Sequence, residues 1–211
     1  MVQVRLLGPV DVAAEGVIRP VRGLRRKAVL SVLALQRGQI VSADRLIDVV
    51  WGDTAAEVAV NTLQSHISHL RGVLGDRDAI LARPPGYLLG PAAGAVDVEV
   101  AEDLIDRAEH TADAAEQARH SEAALGLWRG SPLLDVTGLP WLEEQARRLD
   151  GLRLRATHAW IDLWCGEDAG WVGFDRVTMI LLAALSIVAA FHQPSSVRRV
   201  IAFGRARSRR G

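Results

Sequence analysis

The chain has 211 residues, with 25 Lys+Arg against 25 Asp+Glu and 49% hydrophobic residues. That length suits one or two small domains rather than a large enzyme, and the apolar fraction supports a packed core and excludes a disordered chain. A single cysteine, Cys165, excludes an intramolecular disulfide framework and a Cys-rich metal site. It fits a reducing compartment, and residues 1–4 show no secretory pattern, so a cytoplasmic location is expected. The zero net charge conceals segregation. Residues 1–92 carry 11 basic and 8 acidic side chains, 93–170 carry 7 and 16, and 171–211 carry 7 and 1. Such asymmetry suggests separate modules, one of which can face a polyanion.

Residues 2–12 read as a strand interrupted at Gly8-Pro9, and Gly16 turns the chain so that 17–21 can pair back. Residues 24–35 switch to a helical period. Leu24, Ala28, Leu30, Val32, Leu33 and Leu35 make that helix apolar on most sides, as befits the centre of a small core, and Gly38 is placed to cap it. Ser42 supplies an N-cap and Asp44 an acidic first turn for a second helix, with Leu46, Ile47, Val49, Val50 and Trp51 as its apolar face. Gly52-Asp53-Thr54 closes it and opens a loop.

A third helix is expected over 56–74. Leu63, Ile67, Leu70 and Leu74 are spaced 4, 3 and 4 apart, which makes one apolar stripe. At about 100° per residue, the opposite side carries Asn61, Ser65, Ser68 and Gly72. Gln64 and Arg71 lie on one flank, Thr62 and His69 on the other. Strand-like runs at 79–82 and 87–89, joined by Arg83-Pro84-Pro85-Gly86, read as a hairpin with a rigid tip. Strand, strand, three helices and a hairpin is the order of a helix-turn-helix with a β-wing. The third helix is the one suited to a major groove: its outer face can pair with base edges and phosphates, and residues 64–75 contain no acid.

Four blocks in one order carry a family resemblance: Val4-Arg5-Leu6-Leu7-Gly8-Pro9; the run 43–52, ending Val49-Val50-Trp51-Gly52; the run 61–71, Asn61 to Arg71; and Arg83-Pro84-Pro85-Gly86-Tyr87-Leu88-Leu89. Together they resemble the Streptomyces antibiotic regulatory protein family. Its members join an OmpR-type winged-helix domain to a bacterial transcriptional activation domain. The resemblance implies a mainly α fold with small β-sheets: a winged helix-turn-helix over 1–92, then a tetratricopeptide-like helical domain, incomplete here, over 96–164. Residues 96–111 and 114–128 read as its first helices, and a long helix follows from Pro140 to about Leu163. Residues 165–211 look divergent, as a disordered tail or a single apolar helix.

The resemblance also assigns roles. It places Gln64 and His69 over base edges in the major groove, and Asn61, Thr62, Ser65, Ser68 and Arg71 on phosphates or nearby edges. Arg83 enters or flanks the minor groove, with Tyr87 bracing it. The loop that starts at Trp51, Gly52, Asp53 and Thr54 is where such activators meet RNA polymerase, though Trp51 itself suits a core anchor. The partners implied are promoter direct repeats of double-stranded DNA, RNA polymerase and a second protomer on the DNA. The function implied is a sequence-specific transcriptional activator, of a secondary-metabolite gene cluster. Relatives often carry Arg or Lys where this chain has His69 and Gly72, so modest affinity and a shallow salt dependence are expected. The alternatives are a truncated regulator that binds partners without activating, and a membrane-tethered regulator.

Other chemistry has little to rest on. His66 and His69 stand at i and i+3 without a third ligand in sequence reach, so no metal or other cofactor is expected. GxxxxGK[ST], GxGxxG and GxSxG are absent, and the carboxylates scatter around helices, so no catalytic residue is assigned and no enzyme is expected. Glu143-Glu144 beside Arg147-Arg148 reads as i,i+4 surface pairing. The apolar run 177–191 would span about 22 Å as a helix, against about 30 Å of hydrocarbon. Six arginines follow it, so a sticky tail helix is expected over a membrane span.

Overall fold

The computed structural model describes residues 2–52 and 58–165, with side chains for 2–52 and 60–161. The chain opens with β1 (Val2–Arg5), β2 (Asp11–Ala14) and β3 (Val17–Pro20), an antiparallel meander in the order β3-β2-β1. The single strand expected over 2–12 is therefore two. At Leu6 and Leu7 the backbone leaves the sheet, because both N–H groups donate to the buried Asp97 carboxylate at 2.8–3.0 Å. Gly8 N–H donates to Leu6 O and closes the turn.

Helix α1 (Leu24–Leu35) lies at the centre, and residues 28–34 are all buried. Only its first residue departs from the expected apolar set, since Leu24 is exposed. Gln36, not Gly38, caps it: the Gln36 N–H donates to Val32 O, and Gly38 takes its positive φ of 76° in the turn beyond. The two-residue strand β4 (Val41–Ser42) leads into α2 (Ala43–Trp51), where Ser42 Oγ accepts the Arg45 N–H as an N-cap. Gly52 ends α2 at φ 55°.

Helix α3 (Val58–Leu74) packs on α1 and α2 through Leu63, Ile67, Leu70 and Leu74, each at most 1% exposed. The two expected residues before Val58 lie outside the described residues. A short 3-10 turn (Arg77–Ala79) follows, then β5 (Ile80–Arg83) and β6 (Gly86–Leu89), the two strands of the wing. β6 sits between β5 and β4, so the wing is anchored on the strand that starts α2. Glycine is required at 86, because a Cβ there would stand 1.8 Å from Val41 O.

The chain then returns to the first sheet. β7 (Ala95–Val96) runs parallel to β1 and feeds α4 (Asp97–His110). α4 packs on α5 (Ala114–Leu125), and both pack on α6 (Pro140–Cys165), with Ala101, Ala108, Ala124, Ala156 and Ala159 buried between them. α5 stops short of the expected Trp128. Gly126 caps it, and Leu127 and Trp128 N–H groups reach back to Ala124 and Leu125 carbonyls in a tighter turn that still buries Trp128. The paired charges expected at i,i+4 on α6 are also rearranged: Glu144 pairs with Arg147, Arg148 reaches across to Glu102 on α4, and Glu143 accepts the Gly138 N–H.

The two modules interlock through the turn at 6–8. Arg129, Leu133 and Leu134 N–H groups donate to the carbonyls of Leu7, Leu6 and Gly8. The Arg129 guanidinium lies between Asp11 (3.3 Å) and Asp97 (3.7 Å), and Asp135 bonds both the Val10 N–H and Lys27. Burial pushes the Asp97 carboxyl above its ordinary value, against the opposing pull of the Leu7 and Leu6 amides and Arg129. Removing that carboxylate strands two buried amides and leaves the half-buried Arg129 guanidinium with Asp11 alone. Asp97→Ala should cost about 3–5 kcal/mol, the range for breaking a buried charge pair. At roughly 2–4 °C per kcal/mol for a chain of this size, the thermal midpoint should fall by about 10 °C. A scanning-calorimetry midpoint within about 2 °C of wild type would contradict this role.

Candidate nucleic-acid interface

Burial of the α3 stripe sets the helix's rotation, and rotation decides which side chains leave the surface. Asn61, Gln64, Ser65, Ser68, His69 and Gly72 are all exposed, while Thr62 and Arg71 are half-buried on the two flanks. The elements packed on α3 are α1, α2, β2, β5 and the 3-10 turn; the helical module docks instead on α1, α2 and the first sheet. The outer face of α3 is therefore open. No side chain meets a Cβ built on Gly72, so that position is sterically free as well.

The wing stands beside this face. Arg83 is exposed at its tip, next to the cis Pro84-Pro85 bond. Tyr87 packs half-buried against the core on the strand paired with β4. Arg71 has a second task that its spacing did not reveal: its Nε and Nη2 both donate to Ile80 O, at 2.9 and 2.6 Å. It ties the last turns of α3 to the first residue of the wing, so the two candidate contact elements move together. Of the expected polymerase-contact residues, Trp51 is buried and Gly52 exposed. Asp53 and Thr54 lie outside the described residues, as do the apolar run 177–191 and the arginine-rich end.

His66 and His69 do not act as a pair. His69 points outward, whereas the His66 imidazole stacks on the Trp51 indole at 5.7 Å and 11°, with both ring nitrogens buried and without a hydrogen-bond partner. Among the described residues no group of three or more His, Cys, Asp or Glu could hold a metal ion. Nor is any described helix long and apolar enough to cross a membrane.

Sequence spacing missed one feature. Most described basic side chains engage a carboxylate or a carbonyl, as Arg5, Lys27, Arg37, Arg45 and Arg129 do. Among the described residues the side chains of Arg22, Arg25, Arg26, Arg77 and Arg83 have neither a hydrogen bond nor an ion pair, and all five belong to the winged-helix module. Arg25 instead stacks its guanidinium 5.5 Å from the Trp51 ring. The charge cluster at 22–27 was the available signal; that Lys27 pairs with Asp135 while Arg22, Arg25 and Arg26 have no carboxylate partner among the described residues is a property of the fold.

Comparison with known proteins identifies both modules. Residues 23–89 match the family described as "Transcriptional regulatory protein, C terminal", and residues 96–172 the "Bacterial transcriptional activator domain". The second match runs past residue 164, where the resemblance read from the sequence stopped. The chain is similar to the regulatory protein AfsR of Streptomyces griseus, 33% identical over 161 residues, covering 75% of this chain and 16% of AfsR. It is similar to the regulatory protein DnrI of Streptomyces peucetius, 31% identical over 206 residues, covering 90% of this chain and 72% of DnrI. A solved structure of Mycobacterium tuberculosis EmbR in complex with a low-affinity phosphopeptide superposes with a TM-score of 0.72 at 27% identity, covering 92% of this chain and 51% of that one. The chain thus spans about a sixth of AfsR and about half of that EmbR chain.

The His66 stack has a measurable consequence. Burial first, then Arg26, Arg25 and His69, hold the His66 pKa below its ordinary 6.5. The unfolded chain takes up a proton near 6.5 that the folded chain refuses, so this contribution is complete above 6.5 and is lost as pH falls toward the lowered folded value. His66→Phe keeps a ring on Trp51 and removes the proton. Its urea midpoint should fall less than that of wild type between about pH 7.5 and about pH 5.5. Equal declines would show that His66 is not held neutral.

Proposed function

We propose a function from one premise: this chain belongs to the Streptomyces antibiotic regulatory protein family of transcriptional regulators. In this reading it is a sequence-specific, double-stranded-DNA-binding activator. α3 enters the major groove, with Gln64 and His69 toward base edges and Asn61, Thr62, Ser65 and Ser68 toward phosphates or nearby edges. Gln can bond an adenine bidentately through N6 and N7. Arg83 lies in or beside the minor groove, and Tyr87 braces the wing. Arg71 acts here by holding α3 and the wing in register, leaving its remaining donors for a phosphate. The observation that carries the reading is the open, acid-free outer face of α3 beside the exposed wing arginine, with the second module docked elsewhere.

The finer assignments follow from the same premise. The loop after Trp51 and Gly52 would contact RNA polymerase, two protomers would sit head to tail on direct repeats, and the regulated genes would form a secondary-metabolite cluster. No step requires a cofactor, and no residue is assigned to catalysis.

The test is selection of bound duplexes from a random-sequence library by the full chain, followed by a reporter fused to the selected site. A defined motif and a raised transcript support activation. A motif without transcript supports a regulator that binds but does not activate, and the absence of any motif defeats the DNA-binding reading. On the selected duplex, Gln64→Ala should relax preference at one base pair by about 5- to 150-fold, since a good bidentate contact is worth about 1–3 kcal/mol. His69→Arg and Gly72→Arg should each steepen the dependence of log affinity on log salt by about 0.9. Gly72→Arg should also stabilise the fold by about 0.5–1 kcal/mol, because it removes a glycine from a helix interior. Unchanged salt slopes for both arginine variants would place position 69 and position 72 away from phosphate.

A further inference from the structure

From the arginines that have no carboxylate partner among the described residues we infer a second phosphate grip: Arg22, Arg25 and Arg26, at the start of α1, clasp the DNA backbone on the side of α3 opposite the wing. This inference rests on the DNA-binding reading and extends it to an element that the sequence assigned only to the core.

On the helical wheel His66 lies on one side of the buried α3 stripe and Arg71 on the other. Arg71 bonds Ile80 O and so marks the wing side. His66 stacks on Trp51, and Trp51 carries the Arg25 guanidinium, so His66 marks the α1 side. The run of contacts from Arg25 to Trp51 to His66 puts Arg25 beside the middle of α3, and Arg26 is the next residue on α1. An α-helix with its side chains is about 10–12 Å across and the major groove is about 12 Å wide, so the helix fills the groove. Groups just off either flank then meet the groove walls, and those walls are phosphates.

Arg22 and Arg25 are exposed and Arg26 half-buried. None has a carboxylate partner among the described residues, while Lys27, one residue on, is paired with Asp135 of the second module. Their positions are not explained by helix stability. Cations in a helix's first turn oppose the helix dipole, and the first turn of α1 holds no acid to offset them. Stacking on Trp51 holds the Arg25 guanidinium against an indole face, and among the described residues its N–H edge has no hydrogen-bond partner and can meet an anion. The three cations carry no base-reading geometry, so they add affinity without sequence preference.

The test uses the full chain with two labelled probes, the library-selected duplex and a random-sequence duplex of equal length, titrated at several salt concentrations. The triple variant R22Q/R25Q/R26Q should lower the log–log salt slope by about 2–3 on both probes, at about 0.9 per phosphate contact. The affinity ratio between the probes should stay unchanged. R107Q/R119Q, on the second module, should alter neither. Arg25→Lys in the R22Q/R26Q background should recover about one unit of slope over the triple variant, which separates a charge contact from loss of packing on Trp51. A circular-dichroism melt of each variant establishes folding, and R22Q/R26Q alone serves if Arg25→Gln unfolds the chain. An unchanged slope in a folded variant overturns the inference while leaving the DNA-binding reading intact. Salt-independent or absent binding by wild type to both probes overturns both.

Discussion

The four-residue stripe of α3 is the constraint on which the rest depends. Leu63, Ile67, Leu70 and Leu74 are buried almost completely against α1 and α2. Each such burial is worth about 1.5–3 kcal/mol, enough to hold a helix of this length in one rotational setting. A shift by one residue would carry Gln64, Ser68 and Arg71 toward the core, where each unsatisfied polar group costs about 1–3 kcal/mol. The hydrophobic side of this helix thereby selects its hydrophilic side. What faces outward, an acid-free row of amide, hydroxyl and imidazole groups, is a consequence of what must face inward.

A second interaction keeps that row accessible. The backbone at Leu6 and Leu7 abandons its sheet to donate to Asp97, the first residue of α4. The segment between α5 and α6 is then held to the same turn by Arg129, Leu133 and Leu134. Further out, Arg37 pairs with Glu99, and Arg45 lies over the Trp141 ring at 5.8 Å. These contacts seat the acidic module on the sheet, α1 and α2, away from α3. The charge segregation along the chain becomes a spatial one: Glu99 and Asp135 of the second module engage Arg37 and Lys27 of the winged helix, and among the described residues Arg22, Arg25 and Arg26 have no carboxylate partner.

Much of this was legible in the residues because the signals were local. The bounds of α1, the Ser42 cap, the Gly52 stop, the α3 stripe and the wing tip each follow from spacing or from one residue's backbone preference. What was not legible depended on distant partners. The break at Leu6 comes from a carboxylate about ninety residues away, which no strand periodicity encodes. Trp128 looked helical because it is buried and in phase, yet Gly126 had already ended α5. Arg71 looked like a phosphate ligand, and only the packed wing shows a carbonyl within its reach. The arginines at 22–26 carry no signal of their own in the sequence, and only the pairing of Lys27 with Asp135 sets them apart.

The central claim is that α3 and the wing form the nucleic-acid face while the helical module lies behind it. Backbone-amide NMR of the full chain, titrated with the library-selected duplex, tests it most directly. The account predicts perturbations concentrated at residues 61–72 and 83–87 with the exposed faces of α4 and α6 quiet. Perturbations confined to α4–α6, with the amides of α3 unmoved at saturation, would contradict it.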